Sequence, residues 1–323
     1  MAAPRFAAID IGSNTVHLLV AACPPQRLPV QVLRRRAFVE LGRDVATAGE
    51  IGEKRAQLAA EAVRLQVQEA RRAGVESVAL GATQALRSAA NGAQVADLLA
   101  EAGGGGRVRI LSTDVEAQLA FDGATMTISP GRETAVLDIG GASAEVALGP
   151  AGHRCRHSSL PVGSGTVAGL AVGDPPGEAE WQLMQAQVAG LIPDLRALPP
   201  GMVTLGTGGT ITNLPRLLAK PKGSLLTLRE LERLIESFRR QPVAVLAERS
   251  GVEAARVRLC RGGALILAQM MDLLHLGRIR CSERGLRDGM IAALVGRGED
   301  WWRSAPGGAA VLATVLSADD GRG

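Results

Sequence analysis

The segment Thr134–Leu148, TAVLDIGGASAEVAL, constrains the fold of this chain more than any other stretch. An aliphatic run ends in an acid, a glycine pair with small residues follows, and a second aliphatic run completes the segment. Aliphatic runs on either side of Gly-Gly predict two antiparallel strands joined by a tight turn. Glycines let backbone N–H groups approach an anion closely, and an acid beside them suits a divalent cation. The segment therefore predicts a hairpin that binds a phosphate group together with a metal ion.

The same pattern occurs earlier in the chain, in Ala8–Val20, AIDIGSNTVHLLV. Asp10 falls on Asp138 when the two segments are superimposed. The same alignment, without gaps, pairs Ile11 with Ile139, Gly12 with Gly140, and Thr15 with Ser143. A repeated motif identifies related structural units. Two copies of strand, acid, glycine turn and strand therefore predict two related domains that face each other across a cleft.

Composition limits the class of protein and its partners. A length of 323 residues suits about two domains, and 46% hydrophobic with 21% charged residues is typical of a soluble globular protein. Aromatic residues are scarce (Phe 4, Trp 3, no Tyr), which argues against nucleic-acid binding through stacked bases. The net charge of +4 favours polyanionic partners only slightly, and we find no basic block and no membrane-spanning apolar run. We expect no nucleic-acid and no membrane partner.

Four cysteines are widely spaced and form no CxxC pair. They are Cys23, Cys155, Cys260 and Cys281. This spacing is not that of a disulfide framework, so we expect free thiols and a cytoplasmic location.

A third glycine-rich segment lies in the second half of the chain. Met202–Leu205 predicts a strand that leads into Gly206-Thr207-Gly208-Gly209-Thr210 and a helix over Ile211–Ala219. N–H groups at the start of a helix suit an anion. Ile211 stands where a dinucleotide fingerprint needs its third glycine, and no GKS or GKT triplet marks a P-loop. The segment is therefore a candidate phosphate loop of another kind.

Together with the two hairpins, four further segments carry a resemblance to a known family. They are ATQALRSAAN at 82–91, TDVEAQL at 113–119, TLGTGGTITNL at 204–214 and SERGLRDGM at 282–290. In this order they resemble the exopolyphosphatase / guanosine pentaphosphate phosphatase (Ppx/GppA) family of the actin-like ATPase superfamily. The chain ends soon after Met290, so we expect the short form of the family, without the helical C-terminal domain of longer relatives.

The resemblance implies an α/β fold of two ribonuclease H-like domains that face each other across a cleft. The expected domains are 1–123, which the closing helix 284–296 is expected to join, then 124–283, with a tail over 297–323. It also implies metal-dependent hydrolysis of the terminal phosphoanhydride of inorganic polyphosphate, with release of orthophosphate, or removal of the 5′-phosphate of guanosine pentaphosphate (pppGpp). Magnesium or another divalent cation is the implied cofactor, and a homodimer is the implied assembly.

Two departures from the family pattern leave another function open. Ala142 stands where a third glycine is usual, and Ala144 stands where a threonine is usual. A non-catalytic protein that binds polyphosphate or (p)ppGpp therefore remains an alternative. A kinase of the same superfamily is a further rival, although we identify no adenosine pocket in the sequence.

Two interpretations of Glu116 fit the sequence. By resemblance it is the general base that polarises the attacking water. Alternatively, Thr113-x-x-Glu116 before a helical run is a capping box, with Glu116 at the third helical position. Arg87, in the matched ALR segment, is implied to clamp a phosphate oxygen and to offset charge in the transition state. Its alternative is a solvated helix residue.

The remaining candidate site residues are acids and turn residues. Asp138 and Asp10 are the expected magnesium-side carboxylates, with Asp138 also counted as catalytic, and Glu145 is the third candidate ligand. The alternatives are acids that accept turn N–H groups and, for Glu145, pairing with a base. The expected phosphate-binding residues are Gly12, Ser13, Asn14, Thr15, Gly140, Gly141, Ser143, Gly208, Gly209 and Thr210.

Overall fold

The computed structural model describes residues 2–192 and 195–303, which form two compact units. Unit 1 comprises 2–132, 149–155 and 284–303, and unit 2 comprises 133–148 and 156–283, within the described residues. The predicted tail lies outside the described residues from position 304 onward. The predicted domain limits and the cleft between the domains stay predictions.

Eleven strands and thirteen α-helices are assigned in the described residues, in the following chain order. The strands are β1 (Arg5–Ile11), β2 (Thr15–Ala22), β3 (Val30–Phe38), β4 (Ser77–Ala82), β5 (Val108–Ile110), β6 (Glu133–Ile139), β7 (Ala144–Pro150), β8 (Arg156–Leu160), β9 (Val203–Thr207), β10 (Leu225–Thr227) and β11 (Arg278–Cys281). The helices are α1 (Leu41–Ala48), α2 (Glu53–Arg72), α3 (Gln84–Ser88), α4 (Gly92–Ala102), α5 (Thr113–Thr125), α6 (Ser164–Ala168), α7 (Glu178–Leu191), α8 (Gly208–Ile211), α9 (Leu214–Leu217), α10 (Leu228–Arg240), α11 (Val243–Ser250), α12 (Ala254–Leu273) and α13 (Leu286–Arg297). A 3₁₀ helix, Gly298–Asp300, follows α13.

The two sheets repeat one topology, which confirms the predicted internal repeat. The sheet of unit 1 has the order β3-β2-β1-β4-β5, and the other sheet has the order β10-β11-β9-β6-β7-β8. In each, a hairpin lies beside a parallel strand: β1 pairs with β4, and β6 pairs with β9. The alignment that places Asp10 on Asp138 also places the two ends of β1 on the two ends of β6. The α/β class follows from these mixed sheets and their covering helices.

The prediction of one continuous helix over Ile211–Ala219 is wrong. The structure has two short helices there, α8 and α9, because Asn213 is the N-cap of α9 and Pro215 lies in its first turn. Proline has no backbone N–H and clashes with the preceding turn, so it is tolerated only near a helix start. The chain therefore restarts the helix just after the glycine segment.

Helices α5 and α13 of unit 1 approach each other backbone to backbone. A Cβ atom added to Gly289 would lie 1.8 Å from the carbonyl oxygen of Leu119, and one added to Gly123 would lie 2.0 Å from that of Gly285. Only glycine permits such an approach. The close contact fixes α13 against the helix that carries Glu116.

In the described part of the chain we find no helix whose length and apolar character would let it cross a membrane. The four cysteines are free, as expected from their spacing, and all four are buried. Burial raises the pKa of the Cys23 thiol to about 11 and those of Cys155, Cys260 and Cys281 to about 12.

These raised pKa values predict that the native protein resists thiol reagents. Only the thiolate reacts, and a thiol in the unfolded chain ionises at about pH 8.5. We therefore expect almost no modification by a chromogenic disulfide reagent at about pH 8 in the folded state, and modification of all four thiols in guanidinium. Rapid modification of one thiol in the folded protein would contradict the burial described here.

Candidate active site

One hydrogen bond closes the turn of each repeated hairpin. The N–H of Gly12 donates to the carbonyl of Thr15 at 3.0 Å, and the N–H of Gly140 donates to the carbonyl of Ser143 at 2.9 Å. Ser13, Thr15 and Ser143 are only 8–9% exposed, so these turn residues are largely buried.

A short helix covers each turn and orients one of its peptide groups. The N–H of Gly42, in α1, donates to the carbonyl of Ser13 at 2.8 Å, and the N–H of Gly165, in α6, donates to the carbonyl of Gly141 at 2.8 Å. In a trans peptide the N–H points opposite to the C=O. The N–H groups of the following residues, Asn14 and Ala142, therefore point away from the covering helices. An alanine carries the same backbone N–H as a glycine, so the missing third glycine at position 142 leaves this donor in place.

Asp138 and Glu145 lie on one face of the sheet of unit 2. Their neighbours along the strands belong to the hydrophobic core of this unit: Leu137, Ile139, Ala144 and Val146. Side chains alternate along a strand, so Asp138 and Glu145 both point to the face opposite this core. Glu145 accepts a hydrogen bond from the Ser159 hydroxyl at 3.3 Å, across β7 and β8.

The glycine segment after β9 lies directly against Asp138. Gly208 has φ of +90°, and a Cβ atom there would lie 2.4 Å from Oδ1 of Asp138. A Cβ atom on Gly209 would lie 2.7 Å from Nη1 of Arg256, a residue that is 6% exposed. The segment therefore brings backbone, a carboxylate and a guanidinium together within unit 2. Sequence reasoning missed Arg256, because it lies far from Gly209 along the chain and gives no local signal.

Phosphate binding by Thr210, expected from the N–H groups at the start of its helix, stays a prediction, and the hydroxyl of the Thr210 side chain adds no exposed donor to it. That side chain is 1% exposed and packs against Gly263 of α12, where a Cβ atom would lie 2.1 Å from its methyl carbon. The hydroxyl group is therefore directed into the interior and cannot reach a ligand.

In unit 1, Asp10 faces an arginine that sequence reasoning did not single out. Nη1 of Arg287, in α13, lies 3.7 Å from Oδ2 of Asp10. Burial raises the pKa of Asp10 above its usual range, and the charge of Arg287 opposes that rise. Arg287 belongs to the matched SERGLRDGM segment, which was the available signal. Asp10 thus differs from Asp138, which lies beside a glycine backbone.

Glu116 does not form the capping box that was the alternative interpretation. The N-cap of α5 is Ser112, whose hydroxyl accepts a hydrogen bond from the N–H of Val115 at 3.3 Å. Glu116 is the fourth residue of the helix, and its Oε2 lies 2.9 Å from Nη1 of Arg87. Both side chains are about one-fifth exposed, at 18% and 21%.

Three different groups hold the Arg87 guanidinium. Nη1 donates to the carbonyl of Leu111 at 2.6 Å as well as to Glu116, and Nη2 donates to the side-chain oxygen of Gln84 at 2.7 Å. Arg87 is therefore no solvated helix residue. It fixes the side chain of Glu116 relative to α3 and the end of β5.

The oxygen donors of unit 2 fit a magnesium ion. Mg²⁺ is usually bound by one or two carboxylates together with waters and substrate phosphates, and Asp138 and Glu145 are donors of that kind. Among residues 2–192 and 195–303 no group of three or more His, Cys, Asp or Glu side chains is close enough to hold a metal ion. A pair of carboxylates therefore suits an ion whose coordination the substrate completes.

The two units have equivalent strand orders, and each has an acid followed by a glycine turn at the end of the equivalent strand, β1 or β6. This is an α/β protein of the actin-like ATPase fold. The chain belongs to the Ppx/GppA phosphatase family, whose family model matches residues 19–297. The crystal structure of the Aquifex aeolicus family member has a TM-score of 0.74 at 25% identity, over 92% of this chain and 99% of that chain.

Two curated relatives carry different names. A guanosine-5′-triphosphate,3′-diphosphate pyrophosphatase of Aeromonas hydrophila is 28% identical over an alignment that covers 92% of this chain and 60% of the relative. Exopolyphosphatase 2 of Mycobacterium tuberculosis is 29% identical over an alignment that covers 92% of this chain and 100% of the relative. The chain thus spans less than two thirds of the Aeromonas relative and the whole length of the Mycobacterium relative.

The contact between Gly208 and Asp138 predicts a large effect of Gly208→Ala on the phosphatase activity that is proposed below. The added methyl group would displace Asp138 or the turn, and a shift of about 1 Å in a catalytic group can cost about 10²-fold in rate. Gly201→Ala is the matched control, because Gly201 also has positive φ, +79°, but has open space around its Cβ position. We expect the control to lose about 1 kcal/mol of stability and no activity. Full activity of Gly208→Ala in a phosphate-release assay would contradict this account.

Proposed function

We propose that this protein is an exopolyphosphatase, which hydrolyses the terminal phosphoanhydride of inorganic polyphosphate with release of orthophosphate. The observation that carries the proposal is the pair of Glu116, in the first turn of α5, and Arg87, in α3: the guanidinium holds the carboxylate in place, and Thr113 is not the N-cap that a capping box with Glu116 needs. Membership of the Ppx/GppA family and the name of the M. tuberculosis relative support this choice of reaction.

Glu116 acts as the general base in this proposal. Hydrolysis of an anionic phosphoryl group needs a positioned water and a group that accepts its proton. A carboxylate oxygen of Glu116 can accept that proton while the water oxygen bonds to the terminal phosphorus and the P–O bond to the shortened polyphosphate breaks. The proton passes to solvent after orthophosphate and the shortened chain depart. Arg87 orients Glu116 through the 2.9 Å contact and keeps positive charge beside the reacting group.

Backbone donors and acids bind the phosphate chain and its cation. In unit 1 the turn N–H group of Asn14 favours anionic oxygens, and in unit 2 the turn N–H group of Ala142 and the Arg256 guanidinium beside Gly209 do so. Asp138 and Glu145 would hold Mg²⁺ or another divalent cation, which supplies charge neutralisation of the phosphate oxygens. Asp10 is the third predicted carboxylate, and its charge is already offset by Arg287. A cytoplasmic homodimer remains the expected form.

Hydrolysis of pppGpp is the second candidate function. The name of the A. hydrophila relative favours it, and the terminal phosphoanhydride is chemically the same as in polyphosphate. The values of kcat/KM distinguish the two functions. They are obtained from phosphate release with magnesium, measured on long polyphosphate, on short polyphosphate and on pppGpp.

The proposal predicts that Glu116→Gln lowers kcat by about 10²–10⁴-fold, the usual contribution of acid–base catalysis. The amide keeps the size of the side chain but cannot accept the proton, so KM should change little. The measurement is orthophosphate release from polyphosphate with magnesium. Asp114→Asn is the matched control, because Asp114 lies in the same helical turn, is exposed and is not placed in the site.

Two outcomes would overturn the proposal. Equal activity of Glu116→Gln and wild type would exclude Glu116 as the base. Tight binding of polyphosphate or (p)ppGpp by wild type without any turnover would favour a non-catalytic binding protein instead.

A further inference from the structure

Thr210 buries a hydroxyl group that has no apparent use. Its Oγ1 makes no hydrogen bond with any residue in the described part of the chain, and the side chain is 1% exposed. A buried hydroxyl without a partner is destabilising. Some other property of the side chain must therefore account for threonine at this position.

The shape of Thr210 matches a gap in α12. At Gly263 an added Cβ atom would lie 2.1 Å from Cγ2 of Thr210, 2.9 Å from its Cβ and 3.0 Å from Oγ1. The threonine side chain thus occupies the space that a side chain at 263 would need. The methyl carbon makes the closest approach, which indicates that it sets the distance between α8 and α12.

The residue before Gly263 makes the corresponding contact with the other turn of unit 2. A Cβ atom on Gly262 would lie 2.6 Å from the carbonyl oxygen of Ser164 in α6. The N–H and the hydroxyl of Ser164 both donate to the carbonyl of Gly140 at 2.9 Å. Two consecutive glycines of α12 therefore allow close packing beside both glycine turns of this unit, Gly262 next to the Gly140–Gly141 turn and Gly263 next to the Gly208–Gly209 turn.

We propose that Thr210 and Gly263 are a positioning pair: the methyl group of Thr210 seats the Gly208–Gly209 turn on α12, and its hydroxyl does not bind phosphate. The inference rests on the proposed function in taking this turn as part of the phosphate site. The Thr210–Gly263 contact affects the neighbouring site residues, because Gly208 lies against Asp138 and Gly209 lies against Arg256. A shift of the turn would move backbone donors relative to both side chains.

Two conservative variants separate shape from hydroxyl. Thr210→Val keeps the methyl group and loses the hydroxyl, whereas Thr210→Ser keeps the hydroxyl and loses the methyl group. A positioning role predicts that Thr210→Val binds tripolyphosphate about three- to tenfold more tightly than Thr210→Ser, because only serine leaves a gap beside Gly263. A phosphate ligand predicts the opposite order. Binding is measured by calorimetry with tripolyphosphate and magnesium, beside kcat and KM for phosphate release.

A side chain at position 263 should reverse the effect of Thr210→Ser on tripolyphosphate binding. Gly263→Ala places a methyl group 2.1 Å from Cγ2 of Thr210, so we expect about tenfold weaker binding or more. In that background Thr210→Ser removes the clashing atom and should recover part of the loss, although the same change is harmful beside Gly263. A general loss of stability would not produce this change of sign.

Gly190→Ala is the control for adding a methyl group to a helix of unit 2, because nothing lies within 4 Å of its Cβ position. We expect it to bind tripolyphosphate as wild type does. The inference is overturned if Thr210→Ser binds more tightly than Thr210→Val, if Gly263→Ala binds as wild type, or if wild type binds no tripolyphosphate. If the predicted binding order appears without phosphate release by any variant, the proposed hydrolysis fails while the positioning pair stands.

Discussion

The orientation of one peptide group in each hairpin turn is the constraint on which the site depends. A trans peptide fixes its N–H opposite to its C=O, so the amide that holds the carbonyl of Gly141 also aims the N–H of Ala142. The covering helix must then approach the turn closely, and Gly163 permits this because a Cβ atom there would lie 2.3 Å from the nitrogen of Ala142. Backbone packing therefore sets the direction of this N–H, which is an anion donor in the proposed function. An alanine at position 142 keeps that donor, as a glycine would.

The sequence predicted the parts of the fold whose signals are local. Both hairpins and their equivalence followed from an aliphatic, acidic and glycine pattern that occurs twice without gaps, and the repeated hydrogen bonds confirm that equivalence. The covering helix α6 was missed because its five residues are too few to show a helical period. The N-cap of α5 was misplaced by one residue, because Ser112 and Thr113 are adjacent hydroxyl residues and tertiary structure decides where the helix begins.

Other features of the site could not be predicted because distant contacts determine them. The direction of the Thr210 side chain depends on Gly263, which lies in a later helix and leaves no local pattern. The environments of the two repeated acids have likewise diverged. Asp10 faces the guanidinium of Arg287, whereas Asp138 shares its face of the sheet with Glu145. The repeat is therefore equivalent in backbone, whereas its two acids have different neighbours.

Within unit 1, a continuous set of contacts connects the first turn with the candidate base. Strand β1, which carries Asp10, runs parallel to β4, and the N–H of Thr83 donates to the carbonyl of Ile11 at 3.1 Å where β4 ends. Thr83 is the N-cap of α3, which carries Arg87 to Glu116. The elements in this set are joined by hydrogen bonds or by about one turn of helix, so their relative positions have little conformational freedom. A shift of Glu116 relative to the turn would therefore require breaking several partly buried polar contacts, and preorganisation of this kind is what a general base needs in the proposed function.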